Sequence, residues 1–459
     1  MADQTIAAIA TPLGEGGIGI VRLSGSEALK IGEQMFRAKS GESLASLSTY
    51  QMRYGKAVDP KTGRMVDEAL ALVMLGPRSY TGEDVLELQC HGGVVVVREI
   101  LEIALKLGAK LADPGEFTKR AFLNGRLDLT QAEAVLDIVQ SRTELGLRVA
   151  VDQLEGSLAK RINGIREHLY GLMVRVEALI DFPEEDLPEL EQQEMKEIIY
   201  AGLEELGHLI ATAEEGKILR EGLKTVISGK PNVGKYSLLN RLLDENRALV
   251  TDIPGTTRDV IEEVINLRGL PLRLIDTAGI RKSEHLVERL GVERSLDLIE
   301  RADLILHVTD RSVPLEAEDY EVLERTKNKK RIILINKADL PAQWDRADLG
   351  VLEGTPVLET SFLQGDLNQL KKLILDYAGP GFQHSSSSAP VITRARHKQS
   401  LILAQKALQE GLRTLEGGLP LDLIAVDLFN ALEHLGEITG ETVRENVIDR
   451  IFAQFCLGK

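Results

Sequence analysis

Residues 229–237 read GKPNVGKYS and directly follow the short β-branched run TVIS. Glycines at Gly229 and Gly234 with Lys235 behind them describe a strand-to-helix turn. Its backbone N–H groups can curl round a phosphate, and its lysine can reach the β and γ oxygens. Such a turn belongs at the carboxyl end of a strand in a mostly parallel sheet covered by helices, and this constrains the fold more than any other segment. The neighbouring residues agree with it. Between about 216 and 378, apolar runs (TVIS, LRLID, LILHVTD, RIILIN) alternate with helical stretches, the pattern of βα units.

Three more motifs follow in order: GTTRD from Gly255 to Asp259, DTAG from Asp276 to Gly279, and NKAD from Asn336 to Asp339. Together with the phosphate loop they specify a Ras-like P-loop domain that binds GTP. Asp339 can accept from the guanine N1–H and 2-amino groups, a pattern adenine cannot match. The first loop offers Asn232, Val233, Gly234, Lys235, Tyr236 and Ser237 to the nucleotide. The second offers Thr251, Asp252, Ile253, Pro254, Gly255, Thr256 and Thr257. Asp276, Thr277, Ala278 and Gly279 face the γ-phosphate, and Asn336, Lys337, Asp339 and Ser361 surround the base. Thr257 can place a hydroxyl on Mg²⁺, Asp276 can orient the metal's water shell, and Lys235 completes the catalytic set on the phosphates.

Three positions depart from the usual pattern. After Lys235 a Ser or Thr ordinarily ligates Mg²⁺, whereas here Tyr236 carries its oxygen at the far end of a ring, and Ser237 is turned by about 100° round the helix. Weak Mg²⁺ coordination is expected, the alternative being that water completes the shell. In the guanine-side loop, Ser361-Phe362 stands where Ser-Ala is usual, and a backbone N–H can make the base contact. Ile280, after DTAG, has no group to orient water, so catalysis must recruit help from elsewhere. Asn232 and the TDIPGTT stretch suggest a monovalent cation against the phosphates; alternatively Asn232 ties the loop together.

The flanks have a different texture. Residues 1–125 carry strand-like runs at 18–25, 68–75 and 85–93. Leu154, Leu158, Ile162, Ile165, Leu169, Leu172, Val176 and Leu179 then recur at helical spacing up to Phe182-Pro183, and a second helical pattern runs from Met195 to Ile210. HSSSSAP at 384–390 reads as a linker, after which Leu401, Leu408, Leu412, Leu428, Leu432 and Leu435 are again helically spaced. The fold class expected is multidomain, α/β plus all-α. An α+β domain at 1–125 precedes a discontinuous helical domain at 126–215 and 385–459, into which a GTPase domain at 216–384 is inserted. At 459 residues the chain has room for about three domains.

Charge and cysteine usage limit the partners. With 55 basic and 71 acidic residues the net charge is −16, so RNA must be met by a local basic patch or through a partner. Two distant cysteines, Cys90 and Cys456, exclude a disulfide framework, and no signal peptide or membrane-spanning run is read. A cytoplasmic protein with no membrane partner is expected.

Beyond the G motifs, GEGGIGIVRLSG from Gly14, SYTGEDVLELQCHGG at 79–93, DPGEFTKRAFLNGRLDLTQAEAV at 113–135 and the terminal FCLGK resemble the tRNA uridine-5-carboxymethylaminomethyl modification GTPases, the MnmE or TrmE family, over essentially the whole chain. The resemblance implies a homodimer formed through the N-terminal domain, which binds 5-formyl- or methylene-tetrahydrofolate. It implies GTP hydrolysis when G domains meet across K⁺. It also implies a heterotetramer with a flavin-dependent MnmG-type partner, which carries the FAD, and addition of an aminomethyl or carboxymethylaminomethyl group to the wobble uridine (U34) of tRNA.

Carried over by motif, K⁺ falls to Asn232, Thr251, Ile253 and Thr256, and Mg²⁺ to position 236 and Thr257. Folate falls to Arg22, Glu87, Arg126 and Lys459, and Glu288 positions the attacking water, supplying what Ile280 lacks. Tyr236 stands where the family has serine. Read as residues alone, Glu87 can serve a pterin's amide edge and Arg22 or Arg126 its glutamate tail; otherwise each is a solvated charge. Cys456 is a nucleophile for the modification chemistry if Arg450 or Lys459 stabilises its thiolate, or else a buried helical thiol. His91 is a base or a structural turn residue. Two other functions stay open. One is a ribosome-assembly switch GTPase, which would be expected to carry a basic RNA-binding module. The other is a folate- and nucleotide-binding scaffold whose turnover Tyr236 impairs.

Overall fold

A computed structural model describes residues 4–181, 189–246, 263–275, 298–350, 354–379, 382 and 390–459. The chain divides into two compact units. One holds Met1–Leu136, Gln153–Ile198 and Lys406–Lys459, and the other holds Asp137–Asp152 and Ile199–Gln405. Residues of both expected helical segments, 126–215 and 385–459, are thus found in each unit.

In the first unit, β1 (Ile6–Ile9), β2 (Gly16–Ser24), β3 (Phe36–Ala38), β4 (Gln51–Val58), β5 (Met65–Met74), β6 (Val85–Gly92) and β7 (Lys110–Leu111) form one sheet in the order β3-β4-β5-β6-β2-β1-β7. Neighbours are antiparallel except β1 and β7. The three strand-like runs read from the sequence are β2, β5 and β6. Period-two alternation sends Leu86, Leu88 and Cys90 of β6 into the core with Val21, Leu23, Ala71 and Val73, where Ile100 and Ile103 of helix Val94–Lys106 cover them. Glu87, Gln89 and His91 take the other parity.

The long helix of this unit is Ser157–Asp181, with Leu158, Ile162, Ile165, Leu169, Leu172 and Val176 buried. It packs on helix Leu421–Thr439, whose Ile424, Leu428, Ala431, Leu435 and Ile438 are buried in turn. Leu154 belongs to the preceding helix, Glu144–Leu154, because Gly156 turns left-handed at φ +84 and separates the two. Phe182 and Pro183 lie outside the described residues, as does most of the 384–390 linker.

In the second unit, β8 (Leu223–Ser228), β9 (Glu263–Leu267), β10 (Leu270–Leu274), β11 (Leu304–Asp310), β12 (Arg331–Asn336) and β13 (Val357–Glu359) form a sheet in the order β13-β12-β11-β8-β10-β9. All pairings are parallel except that of β9 with β10. Strands β11 and β12 are buried along their whole length, which is why both read as continuous apolar runs. Leu238, Leu239 and Leu242 of helix Lys235–Asn246 pack on one face with Leu370 and Ile374 of helix Asn368–Ala378. Among the described residues, no helix is long and apolar enough to cross a membrane.

Candidate functional site

The loops after β8, β12 and β13 leave the same carboxyl edge of the parallel sheet, where α/β folds bind ligands. Ser228 ends β8, and the chain turns through Gly229 (φ +135), where an added Cβ would lie 2.2 Å from the Val308 carbonyl. It continues through Asn232 (φ +63) and Gly234 (φ +106) into helix Lys235–Asn246. The Lys235 Nζ donates to the Gly229 and Lys230 carbonyls at 2.6 and 2.5 Å. Burial pushes its ammonium down to about 8.

Asn336 joins the base side to the phosphate side. Its Nδ2 donates to the Val233 carbonyl at 2.7 Å, and its Oδ1 accepts from the Phe362 N–H at 3.0 Å. Arg241, on the helix behind the phosphate loop, donates to the Phe362 and Gly365 carbonyls at 3.1 and 3.0 Å. The guanine-side loop is therefore tied to the P-loop helix. Where alanine is usual, the Phe362 ring is absorbed by the core, and its N–H is engaged by Asn336 and is not open to a base. Ser361 is buried beside it and Asp339 is exposed at the rim. Lys337, at φ +61, bonds Asp310 at 2.5 Å. Burial alone would raise the Asp310 carboxyl; the Lys337 ammonium and the Ser312 donors outweigh it and hold the group below the usual carboxylate range.

Val233 is buried, Ser237 half-buried, and Tyr236 49% exposed. Thr251, Asp252, Ile253, Pro254, Gly255, Thr256, Thr257, Asp276, Thr277, Ala278, Gly279, Ile280 and Glu288 lie outside the described residues.

The first unit holds a second site. Arg22 of β2 faces Glu87 of β6 in register, and its Nε donates to Glu87 Oε1 at 2.8 Å. Its Nη1 donates to the Gly458 carbonyl at 3.3 Å, which brings the chain terminus onto the sheet. Gly458 makes this possible: at φ +86, a Cβ would stand 2.3 Å from the Ile9 carbonyl. The Arg22 guanidinium lies 5.2 Å from the Tyr80 ring and 5.6 Å from that of Phe117, and Arg126 lies 5.1 Å from Tyr80. Arg126 also donates to the Tyr80 carbonyl at 2.9 Å. Burial, with repulsion from Arg22, pushes the Lys459 ammonium below its usual range.

The structure thus gathers Arg22, Glu87, Arg126 and Lys459, and adds Tyr80 and Phe117, which the sequence reading passed over. The available signal was an aromatic inside each of two motifs, Tyr80 in SYTGEDVLELQ and Phe117 in DPGEFTKRAF. Cys456 is exposed and lies beyond helix Glu445–Phe452, so it is not a buried helical thiol. Cys90 is buried. His91 is the penultimate residue of β6, with its backbone N–H donating to Asp67 Oδ2 at 2.8 Å and its ring Nδ1 2.9 Å from Asp67 Oδ1. The Asp67 hydrogen bond raises the His91 imidazole above its usual range.

A guanine-nucleotide P-loop domain, carried in a larger chain of sheet and helices, is the class that this fold and its loops define. Comparison with known proteins makes the family specific. The family described as "GTP-binding protein TrmE N-terminus" matches residues 5–126, and that described as "MnmE helical domain" matches 129–456. The tRNA modification GTPase MnmE of Desulforamulus reducens is 46% identical over 462 residues, covering 100% of both chains. That of Geobacillus thermodenitrificans is 49% identical over 459 residues, 99% of each chain. That of Clostridioides difficile is 48% identical, covering 100% of this chain and 99% of that one. The chain belongs to the MnmE family of tRNA modification GTPases.

Among solved structures, the G domain of the T. maritima FeoB iron transporter is 32% identical, covering 34% of this chain and 98% of that one at a TM-score of 0.26. Aquifex aeolicus Era bound to GDP.AlF4- is 29% identical, covering 40% and 66% at a TM-score of 0.26.

Proposed function

We propose that this chain is a potassium-dependent GTPase acting with a flavin-dependent MnmG-type partner, in a heterotetramer, on the C5 position of the tRNA wobble uridine. The observation that carries the reading is the pairing of two sites in one chain. A guanine-nucleotide cradle is held together by Asn336, and a cluster of cationic side chains gathers about Arg22, which is bonded to the Gly458 carbonyl. Arg22, Arg126 and Lys459 suit the carboxylates of a 5-formyl- or methylene-tetrahydrofolate, Glu87 suits a pterin amide edge, and Tyr80 and Phe117 offer aromatic faces. Folate bound there would supply the one-carbon unit, with the exposed Cys456 nearby in sequence.

The left-handed Asn232 is exposed and makes no side-chain hydrogen bond among the described residues, which suits an amide oxygen turned toward K⁺. Thr251, Ile253 and Thr256 would complete that shell, Glu288 would hold the attacking water, and Thr257 and Asp276 would face the γ-phosphate. Tyr236 does not suit a Mg²⁺ ligand. In the first unit, Tyr50 just before β4 and Met52, Tyr54 and Leu70 of the β4–β5 hairpin are exposed, an apolar face that favours a homodimer through this domain. We divide the chain into a folate domain at 1–125, helical halves at 126–215 and 385–459, and a G domain at 216–384.

The test is GTP hydrolysis in K⁺ and in Na⁺ at equal ionic strength, by the parent and by Tyr236→Ser. Faster turnover in K⁺, abolished by Asp276→Ala, is expected; equal rates in both salts for both chains would overturn the potassium mechanism.

A further inference from the structure

In P-loop GTP-binding proteins the hydroxyl after the lysine is the protein's direct ligand to Mg²⁺. The threonine of the switch segment joins only when a γ-phosphate is present. With GDP, that one hydroxyl therefore makes most of the coupling between metal and protein. Here the position belongs to Tyr236, in the first turn of helix Lys235–Asn246. The helix places its Cα where a serine's would be, so the phenol oxygen is carried away by the width of a ring, and the side chain is 49% exposed. Ser237 cannot replace it, because the next residue is turned by about 100° and its neighbours Leu238 and Leu239 are locked in the core. Among the described residues, no cluster of three His, Cys, Asp or Glu side chains offers another metal site. The loop is held by hydrogen bonds of its own: Lys235 is bonded to two of its carbonyls and Asn336 to a third.

We propose that Tyr236 uncouples nucleotide binding from the divalent cation, so that this chain holds GDP equally well with Mg²⁺ and without it. The proposal rests on the reading that the cradle binds guanine nucleotide. Its reason is linkage. Mg²⁺ can strengthen GDP binding only by as much as it interacts better with the complex than with free GDP. With water in place of the serine oxygen, the metal's inner shell is the same in both. GDP is then retained by the loop N–H groups, Lys235 and the base contacts, and removing the metal does not speed its release.

The experiment is titration of a fluorescent GDP analogue (mant-GDP) into the full-length chain, in Mg²⁺ and in EDTA at matched K⁺ and ionic strength. The parent and Tyr236→Phe are expected to differ less than about threefold between the two buffers, and Tyr236→Ser to gain about tenfold or more from Mg²⁺. Stronger binding by the parent in Mg²⁺, of about tenfold, would overturn the proposal, as would a serine variant that responds no differently from the parent. A metal response present in the parent and lost in Tyr236→Phe would overturn it too, by making the phenol a ligand. Absence of binding in either buffer would overturn the nucleotide reading along with it, whereas metal-dependent binding by the parent overturns this proposal alone.

Discussion

Mild acid will loosen the G domain through His307, a residue outside the nucleotide motifs. His307 lies in β11 opposite Ser228, the last residue of β8 before the phosphate loop. Its Nδ1 is 3.1 Å from the Ser228 hydroxyl, and its Nε2 is buried with no partner among the described residues. Burial pushes the imidazole down to about 4; Asp319 opposes this, and Arg331 and Lys235 add to it. The folded state therefore binds a proton less readily than the unfolded chain, whose histidine titrates near 6.5. Its contribution is complete above about pH 6.5 and is lost as the pH falls toward 4, at about 1.4 kcal/mol per unit and about 3 kcal/mol across the window.

At pH 5.5 the loss of about 1.4 kcal/mol corresponds to a fall of about 3 °C in the melting temperature of a domain this size. Trp344, the chain's one tryptophan, reports on the right part of the molecule, since its indole N–H donates to the Asp310 carbonyl at the end of the same strand. Tryptophan fluorescence melts at about pH 7.5, 6.5 and 5.5 should fall for the parent and stay level for His307→Leu. The variant begins lower, by the lost Ser228 contact, and the gap narrows on acidification. Parallel slopes for the two proteins would refute the argument, because the proton would then be binding elsewhere.

Other expectations follow from the same contacts. Gly234→Ala puts a methyl 2.2 Å from Asn336 Nδ2 at a φ of +106, breaking the tie to Val233, and should weaken mant-GDP binding by about tenfold or more. Arg22→Met leaves the carboxylate of Glu87, with a side chain only 9% exposed, without its partner, and should cost about 3 kcal/mol in urea unfolding, with partial recovery in Arg22→Met/Glu87→Gln. On the proposed function Lys235 meets phosphate as the cation, and burial pushes its ammonium down to about 8, so nucleotide affinity should be level below that pH and fall above it, with no such slope in Lys235→Met. Asp67→Asn removes the hydrogen bond that raises His91, so the His91 titration followed by NMR should move to lower pH.

Much of the fold is legible in the chain because its signals are local. LILHVTD and RIILIN are β11 and β12 to the residue, since parallel strands buried on both faces must be apolar throughout. The phosphate loop is legible for a similar reason: Gly229 and Gly234 adopt backbone angles that favour glycine. Periodicity was less able to place the break before Ser157. Leu154 and Leu158 keep helical spacing across it, and the break falls at the turn of Glu155 and Gly156, the latter at φ +84.

By itself, then, the sequence determined the two fold types, the nucleotide and its motifs, and the oddity of Tyr236, all properties of residues within a few positions of one another. Tertiary structure alone decided which distant groups meet. Arg22 bonds Gly458 across 436 positions, Tyr80 comes to lie near two guanidinium groups, Asn336 links base loop to phosphate loop, and His307 is sealed beside Ser228. Spacing encodes which face of an element is buried. The partner across that face is chosen only when the strands pair and the core closes, and with it the burial that lowers the proton affinity of Lys235, Lys459 and His307.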